Sequence, residues 1–200
     1  MKAIRLVVGV WLLFTAPQLF AEPVTLTFSE LTARPVNGVS IAGLTFGFTI
    51  NGKASDQAVF GASLPGSTTN VSPPALVGST QGVLTLNFAQ ATDFLRFGIA
   101  FNSFNTLDPG LTVQLFDGSL SLIRSLTLRT LSTTSFTEGL FNRSGVQIGR
   151  AVLTFNPHVS TFALDNLSFN SLAIPEPAAL LLLGTGLAAI AALTKKRKKK

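Results

Sequence analysis

From Leu84 to Phe101 the chain reads LTLNFAQATDFLRFGIAF. Leu84, Leu86 and Phe88 fall on one face of an extended chain, and Thr85 and Asn87 on the other. Leu95, Phe97, Ile99 and Phe101 likewise oppose Phe94, Arg96, Gly98 and Ala100. Successive side chains of a strand point to opposite faces, so a period of two marks a strand buried on one side. The same period extends outward in both directions. It recurs in VTLTF (Val24 to Phe28), in Leu111, Val113 and Leu115, in Leu126 and Leu128, and in Leu153 and Phe155. Turn formers punctuate these runs: Asn51-Gly52, Pro73-Pro74, Asp108-Pro109-Gly110, Asp117-Gly118, Asn142 to Gly145, and Asn156-Pro157. No stretch of the body carries a helix-length amphipathic stripe. The reading is an all-β fold: an antiparallel β-sandwich, jelly-roll-like, of about eight to ten short strands.

Of the 17 phenylalanines, 15 lie in the body, and most of these are expected to supply the large apolar content of that core. The body has no tyrosine, and the single tryptophan, Trp11, lies near the start of the chain. A platform that stacks on sugar rings usually needs those two residue types, so the phenylalanines are assigned to packing. Ala54 to Ser79 is rich in Gly, Pro, Ser and Thr and is expected to be a long loop.

Charge divides the chain. The formal net charge is +6. Between Glu22 and Pro177, however, seven Lys and Arg face nine Asp and Glu, leaving −2. The basicity belongs to Lys2 and Arg5 at one end and to residues 195–200 at the other. A nucleic-acid surface needs clustered cations on the folded body, so nucleic acid is excluded as a partner. There is no cysteine, which excludes disulfides and thiolate metal sites.

Residues 1–21 read MKAIRLVVGVWLLFTAPQLFA: a basic start, an apolar run and a small residue before Glu22. That is the layout of a secretory signal peptide. The body, 22–172, is expected to be the β-sandwich. The last segment, 173–200, has three parts. Pro175-Glu176-Pro177 comes first, then an uncharged stretch at 178–194, then six consecutive basic residues. As a helix, 178–194 spans about 25 Å, close to the thickness of a hydrocarbon core. The basic tail orients it with the body on the far side of the membrane.

This order of elements resembles the PEP-CTERM sorting signal of exported proteins from Gram-negative, biofilm-forming bacteria. The matching positions are Pro175, Glu176 and Pro177, the stretch Leu183 to Leu187, and Arg197 in the basic cluster. The resemblance implies an exosortase as partner and transient anchoring in the inner membrane. It also implies cleavage near the Pro-Glu-Pro and a mature form at the cell surface or in the extracellular matrix, with extracellular polysaccharide as a neighbour. Two prolines fix φ and keep the segment extended, as a protease cleft requires.

Chemistry in the body is sparse. His158 is the only histidine, and no G-x-S-x-G or H-E-x-x-H pattern occurs. The carboxylates are scattered, whereas a glycosidase needs a pair at a set separation. The body is therefore expected to be non-enzymatic. One irregularity is informative. In TFALDNLSF, Phe162 and Leu164 share one parity, and Leu167 and Phe169 the other. The phase flips across Asp165-Asn166, which predicts a β-bulge. The ending also resembles the close of jelly-roll modules in carbohydrate-binding-like domains, where an Asp near the last strand and residues near the first hold a structural calcium. That resemblance implies Glu30, Asp165 and Asn166 as calcium ligands, completed by backbone carbonyls. The alternative is that Asp165 and Asn166 satisfy nearby backbone groups. No other cofactor is expected.

Overall fold

The computed structural model describes residues 21–62 and 68–172. Glu22–Ser171 forms one compact unit. The described residues form eleven strands and no helix. They are β1 (Ala21–Leu26), β2 (Ser40–Ile41), β3 (Leu44–Ile50), β4 (Lys53–Ala54), β5 (Ala58–Ala62), β6 (Ala75–Ser79), β7 (Gly82–Phe101), β8 (Leu107–Phe116), β9 (Leu122–Ser132), β10 (Thr137–Phe155) and β11 (Thr161–Leu172). The expected signal peptide and the whole of 173–200 lie outside the described residues. Among the described ones, no helix is long and apolar enough to cross a membrane.

The strands join into one antiparallel sheet in the order β5-β6-β11-β7-β10-β8-β9, with β3 on the first half of β7 and β1 on β11. Two strands carry the architecture. The first half of β7 pairs with β3 and with the end of β10, for example Leu84 with Phe48 and with Leu153. The second half pairs with β11 and with the start of β10, for example Phe97 with Phe141. Register shifts between Ser144 and Arg150 separate the two halves. The sheet thereby folds over on itself, and its two leaves meet face to face. Phe48 and Phe155 of one leaf pack on Phe162 of the other, at centroid distances of 6.2 and 3.8 Å. Phe88 meets Phe169 across the same interface at 5.4 Å. One apolar cluster runs through the molecule and includes Leu84, Leu86, Leu95, Phe97, Ile99 and Phe101.

Several local expectations change. The strands are not all short: β7 and β10 have 20 and 19 residues. Asn142 to Gly145 is no turn but part of β10, with Gly145 at φ 84° beside the register shift. Asp108-Pro109-Gly110 likewise lies inside β8, at an irregularity between Leu107 and Leu111. Ala54 to Ser79 contains β5 and β6 as well as loop. Asn51-Gly52 does turn the chain, with φ of 50° and 75°, the signature of a tight hairpin.

Candidate functional site

Asp165 and Asn166 sit at a bulge on β11. Asp165 pairs with Gly98 of β7 and Ser168 pairs with Arg96, so β11 spends one residue more than its partner. Asn166 takes φ 53°, a region that Asn tolerates better than most residues. The predicted phase flip is thus a bulge in the structure.

The Asp165 side chain is 2% exposed. It points outward from the sheet, and a short segment from Thr68 to Ser72 covers it. The Ser72 N–H donates to Asp165 Oδ2 at 3.0 Å, and Asn166 Nδ2 donates to the same oxygen at 3.2 Å. Asn166 Nδ2 also reaches the Asn70 carbonyl at 3.3 Å. Asp165 Oδ1 is buried and has no partner. Burial raises the pKa of this carboxyl above its ordinary value. The backbone N–H groups of Ser72 and Asn166 oppose that rise, and the charge of Glu30 adds to it.

Glu30 follows β1 in the turn after Phe28, which holds φ 58° with its ring fully buried. Its Oε1 accepts from the Thr27 N–H at 3.2 Å and the Thr27 hydroxyl at 2.8 Å. Slight burial works upward on this carboxyl, but hydrogen bonds from its own N–H, from Thr27 and from Phe28 outweigh it and hold the pKa down. Glu30 is near enough to act on Asp165 by charge, yet no hydrogen bond joins it to Asp165 or Asn166.

A second buried carboxylate, Glu138 on β10, holds the same covering segment from its other side. Glu138 Oε2 accepts from the Asn70 N–H at 2.8 Å, the Thr69 N–H at 3.0 Å and Asn70 Nδ2 at 3.1 Å. Val71, between these anchors, is fully buried against Ala75, Ala100 and Ala163. The segment is therefore a strap across the outer face of the sheet. It lies flat because Gly98 offers no Cβ: one placed there would meet the Asn70 carbonyl oxygen at 2.0 Å. Glu138 has no signature in the sequence, where it is one acidic residue within a long strand.

Among the described residues, no three His, Asp or Glu side chains gather to hold a metal ion. The unpartnered, buried Asp165 Oδ1 nevertheless suits a hard cation, which would remove the burial penalty on that oxygen. The other donors there would be Glu30, Asn166 and backbone carbonyls. Pro175, Glu176, Pro177 and Arg197 lie outside the described residues, and His158 is exposed in the β10–β11 turn.

The chain is similar in fold to several solved structures, all at low identity. A family 29 carbohydrate-binding module aligns at 9% identity over 79% of this chain and 99% of its own, with a TM-score of 0.39. The K2 cleaved adhesin domain of Lys-gingipain aligns at 12% identity over 74% and 97%, with a TM-score of 0.45. The enzymatically active domain of a tailspike protein from bacteriophage CBA120 aligns at 16% identity over 68% and 21%, with a TM-score of 0.37. No curated protein matches the chain. Beyond the all-β body, residues 173–198 match the PEP-CTERM protein-sorting motif, so this chain carries that sorting signal directly behind its last strand.

Proposed function

We propose that this protein is an exported, non-enzymatic component of the cell surface or extracellular matrix. An exosortase sorts it through its C-terminal motif, and the mature body associates with extracellular polysaccharide. The observation that carries this reading is the motif at 173–198. Only Ala173 and Ile174 separate Leu172 of β11 from Pro175, so a cut near the Pro-Glu-Pro keeps the whole described body in the released product. The non-enzymatic part is supported by the use of the buried acids: Glu138 and Asp165 are committed to the strap.

The test is intact mass in a host with an exosortase. The surface form is expected to lack the apolar stretch and Lys200. Replacing Pro175, Glu176 and Pro177 together by alanine is expected to leave full-length protein in the membrane fraction and almost none outside. Lys200 on the surface form, or unchanged processing of the triple variant, would overturn the reading.

The orphaned Asp165 Oδ1 favours a second reading, a carbohydrate-binding module with a structural calcium at Asp165, Glu30 and Asn166. Its pH dependence has a defined sign. The native pKa of Asp165 is raised, so just above pH 3.8 the native state keeps a proton that the unfolded state has released. Stability then falls as pH rises from 3.8 to the native value and stays low beyond it. A cation partners the ionised form and reverses that loss. Millimolar calcium is therefore expected to raise Tm at pH 7 and much less at pH 4, and Asp165→Asn is expected to abolish the response. A Tm indifferent to both calcium and chelator removes this reading.

A further inference from the structure

The sheet bends where β7 passes from one leaf to the other, and a groove of about 430 Å³ opens there. Its polar lining is Asn87, Gln90, Asp117 and Arg150, and Leu120 stands among them. Arg150 occupies the middle of the sheet, on β10 between Asn87 of β7 and Phe116 of β8. Its neighbour Ala151 faces the core, so Arg150 faces outward, and its side chain is half-buried.

The guanidinium is oriented. Nε donates to Asn87 Oδ1 at 2.6 Å, which fixes the plane of the group. No described residue accepts from its two terminal amino groups. The ion pair found among the described residues joins a different pair, Arg129 and Asp108, at 3.9 Å. A half-buried cation with its Nε tied and its amino groups open presents a planar, two-pronged donor.

The opposite wall is rigid. Asp117 Oδ1 accepts from the Ser119 and Ser121 N–H groups, both at 2.9 Å, and from the Ser119 hydroxyl at 2.7 Å. These bonds close the β8–β9 turn and lower the pKa of Asp117, the Ser119 hydroxyl most of all. The turn lies flush against β10, since a Cβ on Gly149 would meet the Asp117 carbonyl oxygen at 2.6 Å. The turn holds Leu120 at φ 66° with its side chain 53% exposed. A branched apolar residue in that conformation costs about 1–2 kcal/mol, and with more than half of its surface exposed it gains little burial in return.

From this geometry we propose that the groove binds the carboxylate of an acidic sugar residue, a uronate, through the open edge of Arg150. This deepens the polysaccharide reading given above and rests on it. A planar carboxylate matches the guanidinium with two parallel N–H···O bonds. The side-chain amides of Asn87 and Gln90 and the free Asp117 oxygen suit sugar hydroxyls. Leu120 offers an apolar surface to the C–H face of a ring. The single cation beside one carboxylate suits a monoanion carrying hydroxyl groups and disfavours a phosphate dianion.

Titration calorimetry of the full-length protein in detergent, with oligogalacturonate, its methyl ester, a neutral oligogalactan and inorganic phosphate, tests the assignment. Oligogalacturonate is expected to bind, with the methyl ester and phosphate at least about tenfold weaker. Arg150→Gln is expected to weaken binding by about tenfold or more, and Arg150→Lys by several-fold, because an ammonium cannot make the paired contact. Arg124→Gln, a charge removed from exposed β9, is expected to bind as the native protein does. Equal binding of acid and ester by the native protein would overturn the proposal, whatever the folding of the variants. Binding of the neutral glycan alone would sink the uronate assignment and leave polysaccharide association standing. Binding of no glycan would sink both.

Discussion

Phe162→Ala is expected to lower the free energy of unfolding by about 3–5 kcal/mol, out of a total of roughly 5–15 for a domain of this kind. Phe162 is fully buried. Its ring lies 3.8 Å from Phe155, nearly parallel at 11°, and 6.2 Å from Phe48. Phe155 and Phe48 belong to the opposite leaf, so this one ring joins the two halves of the folded sheet. Its own leaf makes room for it at Gly78, where a Cβ would meet the ring at 2.8 Å. Ladder hydrogen bonds hold both leaves, so the cavity left by truncation cannot collapse and the cost belongs at the upper end of the range. Urea denaturation should show a lower midpoint with an unchanged slope. Phe104→Ala is the comparison: that side chain is 68% exposed, and its loss should change stability by no more than about 0.5 kcal/mol. A loss below about 1 kcal/mol for Phe162→Ala would mean that the leaves do not meet there.

The difference between those two phenylalanines shows how far the sequence can be read. Phe162 sits in an alternating run and Phe104 does not, so period alone places one in the core. Period also marks the face of β7 and the bulge at Asp165-Asn166. It fails where pairing is decided at long range. Asn142 to Gly145 has turn chemistry, yet it lies within β10 because β7 runs beside it and absorbs the extra residues as a register shift. β5 and β6 are five residues each and built from small residues, one Val and one larger apolar residue apiece, too weak a pattern to stand out. Their existence follows from the open edge of β11. Gly98 and Ala100 were expected on the wet face and are buried, because the strap covers them. The sorting motif is the opposite case. It is linear, and nothing in the fold is needed to read it. Of the candidate site, Asp165 and Asn166 were legible from the phase flip. Glu138 was not, because the backbone groups it accepts from lie 68 and 69 residues away.

The strap gives the second large effect. Gly98→Val is expected to cost about 2–4 kcal/mol, although valine is a better strand former than glycine. Gly98 has no positive φ to defend, so the backbone accepts a side chain without strain. The obstacle is the Asn70 carbonyl oxygen, 2.0 Å from where the Cβ would be. That atom belongs to main chain and cannot swing aside. The strap must lift, and lifting it strips the Thr69 and Asn70 N–H groups from Glu138 and the Ser72 N–H from Asp165. It also exposes Val71 and leaves two acids to find new partners in the sheet's outer face. Limited proteolysis should then cut within residues 68–72 faster than in the native protein. Gly47→Ala is the control, since its Cβ would make an ordinary contact at 3.7 Å with Thr85 and should leave stability within about 0.5 kcal/mol. Glu138→Ala should cost about 1–3 kcal/mol by orphaning the same N–H groups, and Glu138→Gln less, because an amide oxygen still accepts. The double variant Gly98→Val with Glu138→Ala should lose clearly less than the sum of its parts, because once the strap is off, its anchor holds nothing. Strict additivity would place Glu138 and Gly98 in separate units and contradict the strap.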